Sequence, residues 1–106
     1  MKGLILYRNR QVGEVSFGAG PKGIPVVLWK DTSRFDDGPI QMIGQVNTSA
    51  VLFKNGPKGA VKMTLKEKLS LALREAMLSA CQSLVDQGAD MHMIDTVTLD
   101  SDTVDR

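Results

Sequence analysis

The sequence predicts an α+β domain, a mostly antiparallel sheet of roughly five to seven short strands with one long helix packed on one face and a strand after it. Three observations lead there. Thr64–Gly88 (TLKEKLSLALREAMLSACQSLVDQG) carries stop signals at both ends and no proline between them. Upstream of it, short apolar or alternating runs are separated by Gly, Pro and Asn, as strands are. Downstream, Met93–Leu99 is rich in β-branched Ile94, Thr96, Val97 and Thr98. A chain of 106 residues has room for a single domain over 1–106, which buries roughly two-thirds of its unfolded surface.

Taken in order, Leu4–Tyr7 is apolar on both alternating faces, as a central strand is. Arg8-Asn9-Arg10 reads as a tight turn, since Asn tolerates positive φ. Val12–Phe17 places Val15 and Phe17 on one face and Glu14 and Ser16 on the other. Ile24–Trp29 is again apolar on both faces, with Pro25 near its start, where a missing donor is tolerated. Ile40–Val46 alternates, with Ile40, Met42 and Val46 expected to face in and Gln41 and Gln45 out. Asn47-Thr48-Ser49 turns the chain into Ala50–Lys54, and Ala60–Met63 leads to the helix. The polar tail Asp100–Arg106 is expected to fray.

In the helix, expected over residues 65–87, Thr64 and Glu67 have the spacing of a capping box, and Gly88 suits a left-handed C′ position. At about 100° per residue, Leu65, Leu69, Ala72, Leu73, Ala76, Met77, Ala80 and Leu84 share the core-facing arc. A second apolar stripe, Leu71, Leu78 and Val85 with Cys81 and Arg74 beside it, exceeds what one sheet face requires. Either the sheet curls to bury it or it meets another molecule. Residues seven apart fit a seam between symmetry-related helices, which makes Leu71, Arg74, Leu78 and Val85 the expected interface of a homodimer or another protein partner.

The first half also contains an internal echo. Glu14–Val27 (EVSFGAGPKGIPVV) and Ala50–Met63 (AVLFKNGPKGAVKM) match at an offset of 36: Val15 with Val51, Phe17 with Phe53, and GPKG with GPKG. Each copy is expected to be strand–turn–strand, with lysine after proline favouring a type I turn. The economical account is that one turn chemistry occurs twice; a true duplication is the other.

Composition narrows the function classes. The net charge of +1 argues against a dedicated nucleic-acid binder. Its distribution is uneven: residues 1–66 carry ten Lys/Arg against four Asp/Glu, and residues 67–106 carry three against eight. Such asymmetry can steer association or simply keep an acidic end solvated. The N-terminal apolar run is too short for a signal core, no run approaches membrane-spanning length, and the lone Cys81 has no partner for an internal disulfide. A cytoplasmic protein without a membrane partner is expected.

Candidate chemistry is sparse. Gly18–Gly23 formally matches G-x-G-x-x-G, but a strand follows where the dinucleotide fingerprint needs a helix, and Pro21 removes an N–H. If both GPKG turns share an edge, Lys22 and Lys58 with nearby amides can hold an anion; solvated turn tips are the plainer reading. The 31–39 loop (DTSRFDDGP) beside Trp29 brings Arg34 and Asp36, a composition suited to recognition, although Trp29 also fits a core position. No metal site or cofactor is expected, because His92 is the single histidine and no zinc-like spacing surrounds it. No catalytic residue is assigned either: the carboxylates are scattered, and a Cys81–His92 dyad would require the two to be neighbours in a cleft. The leading expectation is a non-enzymatic module that self-associates through the helix stripe. Its rival is a small-ligand or anion-binding protein using Trp29, the 31–39 loop and the GPKG turns.

Overall fold

The computed structural model describes residues 1–33 and 39–99. Seven strands and one helix follow in the order β1 (Lys2–Tyr7), β2 (Arg10–Ala19), β3 (Pro25–Asp31), β4 (Ile40–Gln45), β5 (Phe53–Gly56), β6 (Gly59–Lys62), α1 (Leu65–Asp86) and β7 (Ile94–Leu99). Five of them form one antiparallel sheet in the order β4-β3-β2-β1-β7, while β5 and β6 form a separate hairpin. The α+β class and the single helix agree with the sequence. The expected fraying of Asp100–Arg106 lies outside the described residues.

The β1–β2 turn is set by Arg8 and Asn9, both in the left-handed region at φ 54° and 66°. A two-residue loop with positive φ at both positions matches the twist of the flanking strands. Strand β7 returns after the helix to pair with β1, from Tyr7 opposite Ile94 to Lys2 opposite Leu99. That makes β1 and β2 central strands and leaves β4 and β7 as edges.

The helix is held at both ends as its sequence requires. Glu67 N–H donates to Thr64 Oγ1 at 3.2 Å while Thr64 N–H donates to Glu67 Oε1 at 2.9 Å, a complete capping box. At the other end Gly88 adopts φ 105°, Ala89 N–H reaches Leu84 O at 3.0 Å and Gly88 N–H reaches Val85 O at 3.0 Å. This is the Schellman pattern, which satisfies carbonyls the helix would leave orphaned.

Leu73 and Met77 are the helix residues driven fully into the core, against Ile5, Val15, Val27 and Val46. Leu69, Ala72, Ala76, Ala80, Cys81 and Leu84 pack around them. Leu65, expected on this face, is instead 54% exposed at the first position of the helix. Glycines set the approach distance: a Cβ on Gly3 would run into the Met77 side chain, and one on Gly13 into the Trp29 ring.

Two bulges alter the expected alternation. The pairing skips Val12 between β1 and β2, and Ile43 between β3 and β4. A bulge shifts the side-chain phase by one residue. Consequently Val46 is buried as expected, but Ile40 and Met42 do not face in with it; they are 62% and 60% exposed. By pairing, Met42 sits beside Leu28 and Ile40 beside Lys30 on the side away from the helix.

The GPKG turns also differ from expectation. Both copies are strand–turn–strand, but the first joins β2 to β3 within the sheet and the second closes the separate hairpin. Lys22 adopts φ 60°, which a type I turn does not contain, and Gly23 N–H closes the turn on Gly20 O at 3.2 Å. At the second turn it is Gly59, at φ 117°, that takes positive φ. The two copies share a peptide and not a conformation.

Gly13→Ala should lower unfolding stability by about 1–3 kcal/mol, since the Trp29 ring must move to admit the methyl group. Gly44→Ala, where a Cβ meets nothing within 4 Å, should change it by less than about 0.5 kcal/mol. Urea denaturation of both variants makes the comparison.

Candidate functional site

The helix covers β1, β2 and β3 but stops short of β4. Between the helix and the β3–β4 side of the sheet this leaves a groove of about 720 Å³. Its floor is Val12, Val27, Trp29 and Ile43; its helix wall is Ala72, Ala76, Ala80 and Leu84. The alanines make the wall low, and both bulged residues, Val12 and Ile43, contribute to the floor. Bulges commonly re-aim side chains at functional sites. The polar rim comprises Asp31, Ser33, Gln41, Gln45, Glu75, Ser79, Ser83 and Gln87. It includes two carboxylates and no cation among the described residues.

Trp29 therefore occupies both positions that its sequence context allows. Its ring lies over the bare backbone of Gly13 and packs against the core, while part of it remains half-buried at the groove. Asp31 shapes the end of β3, accepting from Ser33 N–H at 2.9 Å and Ser33 Oγ–H at 2.6 Å. Arg34 and Asp36 lie outside the described residues. Lys22 and Lys58 are exposed at the tips of turns in different sheets, and neither lines the Trp29 groove.

On the other side of the helix, a smaller groove of about 430 Å³ runs toward β7 and brings Arg74 and Leu78 together with Ser70, Thr96 and Thr98. Of the second helix stripe, Leu78 is 64% exposed, while Leu71 and Val85 are half-buried. Burial beside the core pushes the Cys81 thiol pKa up, the direction that disfavours the nucleophilic thiolate. His92 is exposed in the turn before β7, and no hydrogen bond joins it to Cys81 among the described residues. Among those residues no cluster of three His, Cys, Asp or Glu side chains is placed to hold a metal ion. Among the described residues no helix is long and apolar enough to cross a membrane.

Sequence reasoning overlooked the apolar surface away from the helix. Leu4, Leu6 and Leu28 are half-buried on the bare side of the sheet, flanked by exposed Ile40, Met42, Val97 and Leu99. The hairpin is equally bare: Val51, Leu52, Phe53 and Val61 are all exposed. One signal was present, because β4 (IQMIGQ) contains no charge and no proline. Natural edge strands normally carry such protection.

The hairpin is tied to the body through the helix cap. Lys54 Nζ donates to the Glu67 carboxylate, and Lys68 Nζ donates to Thr48 O at 3.1 Å. Glu67 thus serves the cap and the hairpin together. Its pKa is held down from 4.5 to about 2, first by the hydrogen bond from Lys54 and next by the Thr64 N–H.

Comparison with known proteins finds no family model, no curated protein and no solved structure that matches this chain.

A lowered folded-state pKa stabilises the fold above the ordinary carboxylate pKa, and that contribution fades as pH falls from about 4.5 toward about 2. A carboxyl-detected NMR titration should place the Glu67 midpoint near the lower value, and Lys54→Met should raise it. An ordinary midpoint in the unaltered chain would remove the Lys54 contact from the account.

Proposed function

We propose that this chain is a non-enzymatic interaction module that self-associates, with β4 at the centre of the contact. The single observation that carries the reading is β4 itself, an uncharged edge strand exposed along both faces as well as its open edge. Ile40, Met42 and Ile43 are 62%, 60% and 48% exposed within six residues. An edge of this kind is a template for another strand, and solitary proteins disarm it with lysine, proline or cover. Within Ile40–Gln45 the Ile43 bulge is the one such device. The wider balance points the same way. Among the described residues fourteen large hydrophobic side chains are exposed, against seven in the buried core. Water contact on that scale is relieved by association.

The helix stripe at Leu71, Arg74, Leu78 and Val85 is the other surface for a homodimer. It offers less, because Leu78 is the only large apolar side chain of the three that is mostly uncovered. A second reading, a small-ligand site, draws support from the Trp29 groove, whose volume and mixture of apolar floor and polar rim suit a small molecule.

Sedimentation velocity across a concentration series tests the first reading. The unaltered chain should form a dimer or larger species, Met42→Lys should weaken association at least tenfold, and Leu78→Glu should leave it nearly unchanged. Monomers throughout the series would overturn self-association. Dissociation by Leu78→Glu alone would move the contact from β4 to the helix.

A further inference from the structure

The β5–β6 hairpin is an awkward part for a solitary protein to carry. A two-stranded hairpin is at best marginally stable in water without a surface to rest on. This one exposes Phe53 to 60% and every residue of β6, and its side chains reach the body chiefly through the Lys54–Glu67 pair. The molecule is correspondingly long, 45 × 32 × 29 Å, with a radius of gyration of 15.2 Å, where a compact chain of this length has about 13 Å. An arm of this composition needs a seat.

The groove between the helix and β4 has the complementary character. From Ala50 to Met63 the chain carries Lys54, Lys58 and Lys62 and no carboxylate; the groove rim carries Asp31 and Glu75 and no cation among the described residues. The arm presents Val51, Leu52, Phe53 and Val61, and the groove presents Trp29, Ile43 and Leu84. Both partners have unpaired strand edges: β4 pairs only with β3, and β5 and β6 pair only with each other. No residue of the arm lines the groove of its own chain.

We infer that the β5–β6 hairpin is an assembly arm that docks along β4 and into the Trp29 groove of a second copy of this chain. Strand addition at β4 satisfies the N–H and C=O groups of both edges, and alternate arm side chains fall over the groove floor. Lys58 then meets Glu75 on the rim, with Lys54 remaining on its own Glu67. The contact joins two different surfaces, so each copy both gives an arm and receives one. This inference rests on the self-association proposed above and names the two surfaces that meet.

Complementation tests it with the full-length chain. An arm variant (Phe53→Ser with Val61→Ser) and a groove variant (Ile43→Lys with Glu75→Lys) change exposed residues, so circular dichroism should report an unaltered fold. Each alone should associate at least tenfold more weakly than the unaltered chain in sedimentation. Mixed, they should form a heterotypic complex, because one retains a working groove and the other a working arm. A charge exchange gives an independent measurement: Lys58→Glu and Glu75→Lys should each weaken association, and both in one chain should restore it. An unaltered chain that stays monomeric overturns self-association and this contact with it. An unaltered chain that associates while the arm variants associate equally well overturns the arm contact alone. Weakening by the groove variant but not by the arm variant assigns the groove to another occupant and equally overturns the inference.

Discussion

The seating of Leu73 and Met77 on Ile5 and Val15 is the contact on which the rest depends. Both helix residues and both strand residues are buried, and they join the one helix to the two central strands. Gly3 opens the space that Met77 fills, so the helix axis lies low over β1. A fully buried leucine or methionine contributes about 1.5–3 kcal/mol, and a core of seven residues leaves little redundancy. The position of the helix over β1 and β2 also decides what it cannot reach. One helix is too narrow for five strands, and the edge strands β4 and β7 are left largely uncovered.

Two features with separate local causes converge at that uncovered strip. The bulges at Val12 and Ile43 add apolar residues to the floor, and the run of alanines on α1 lowers the wall. Trp29 lies between them, its ring placed by the absence of a side chain at Gly13. A groove built from strand irregularity and small helix residues is a shape, and the open β4 edge runs along one side of it. The hairpin, basic where the rim is acidic and held at the helix cap through Glu67, stands as its counterpart.

Much of the architecture was legible in the residues alone. Five to seven strands, their approximate places and the helix follow from alternation, turn residues and caps, which are local properties acting over a few positions; that two of the strands form a separate hairpin did not. The Thr64–Glu67 box and the Gly88 terminus were legible because capping depends on residues three or four apart. The faces of β4 were not. Strict alternation groups Val46 with Ile40 and Met42, and the one-residue bulge at Ile43 separates them. Gly44 beside the bulge is the one local hint in IQMIGQV, since glycine inside a strand often marks a bulge; the partner strand decides whether and where it falls.

The sequence by itself determined which segments are strands and which is the helix, because hydrogen bonding within a helical turn and the alternation of a strand are encoded locally. It also raised the expectation of a second apolar stripe on the helix, of which the structure half-buries Leu71 and Val85 and leaves Leu78 exposed. Only the tertiary structure decided which apolar surfaces stay uncovered. Strand order placed β4 at an edge, the width of a single helix left it uncovered, and the two GPKG peptides were sorted into different sheets. Those outcomes depend on which distant segments pair and how far a packed helix extends. Such long-range distances are absent from any local window of residues.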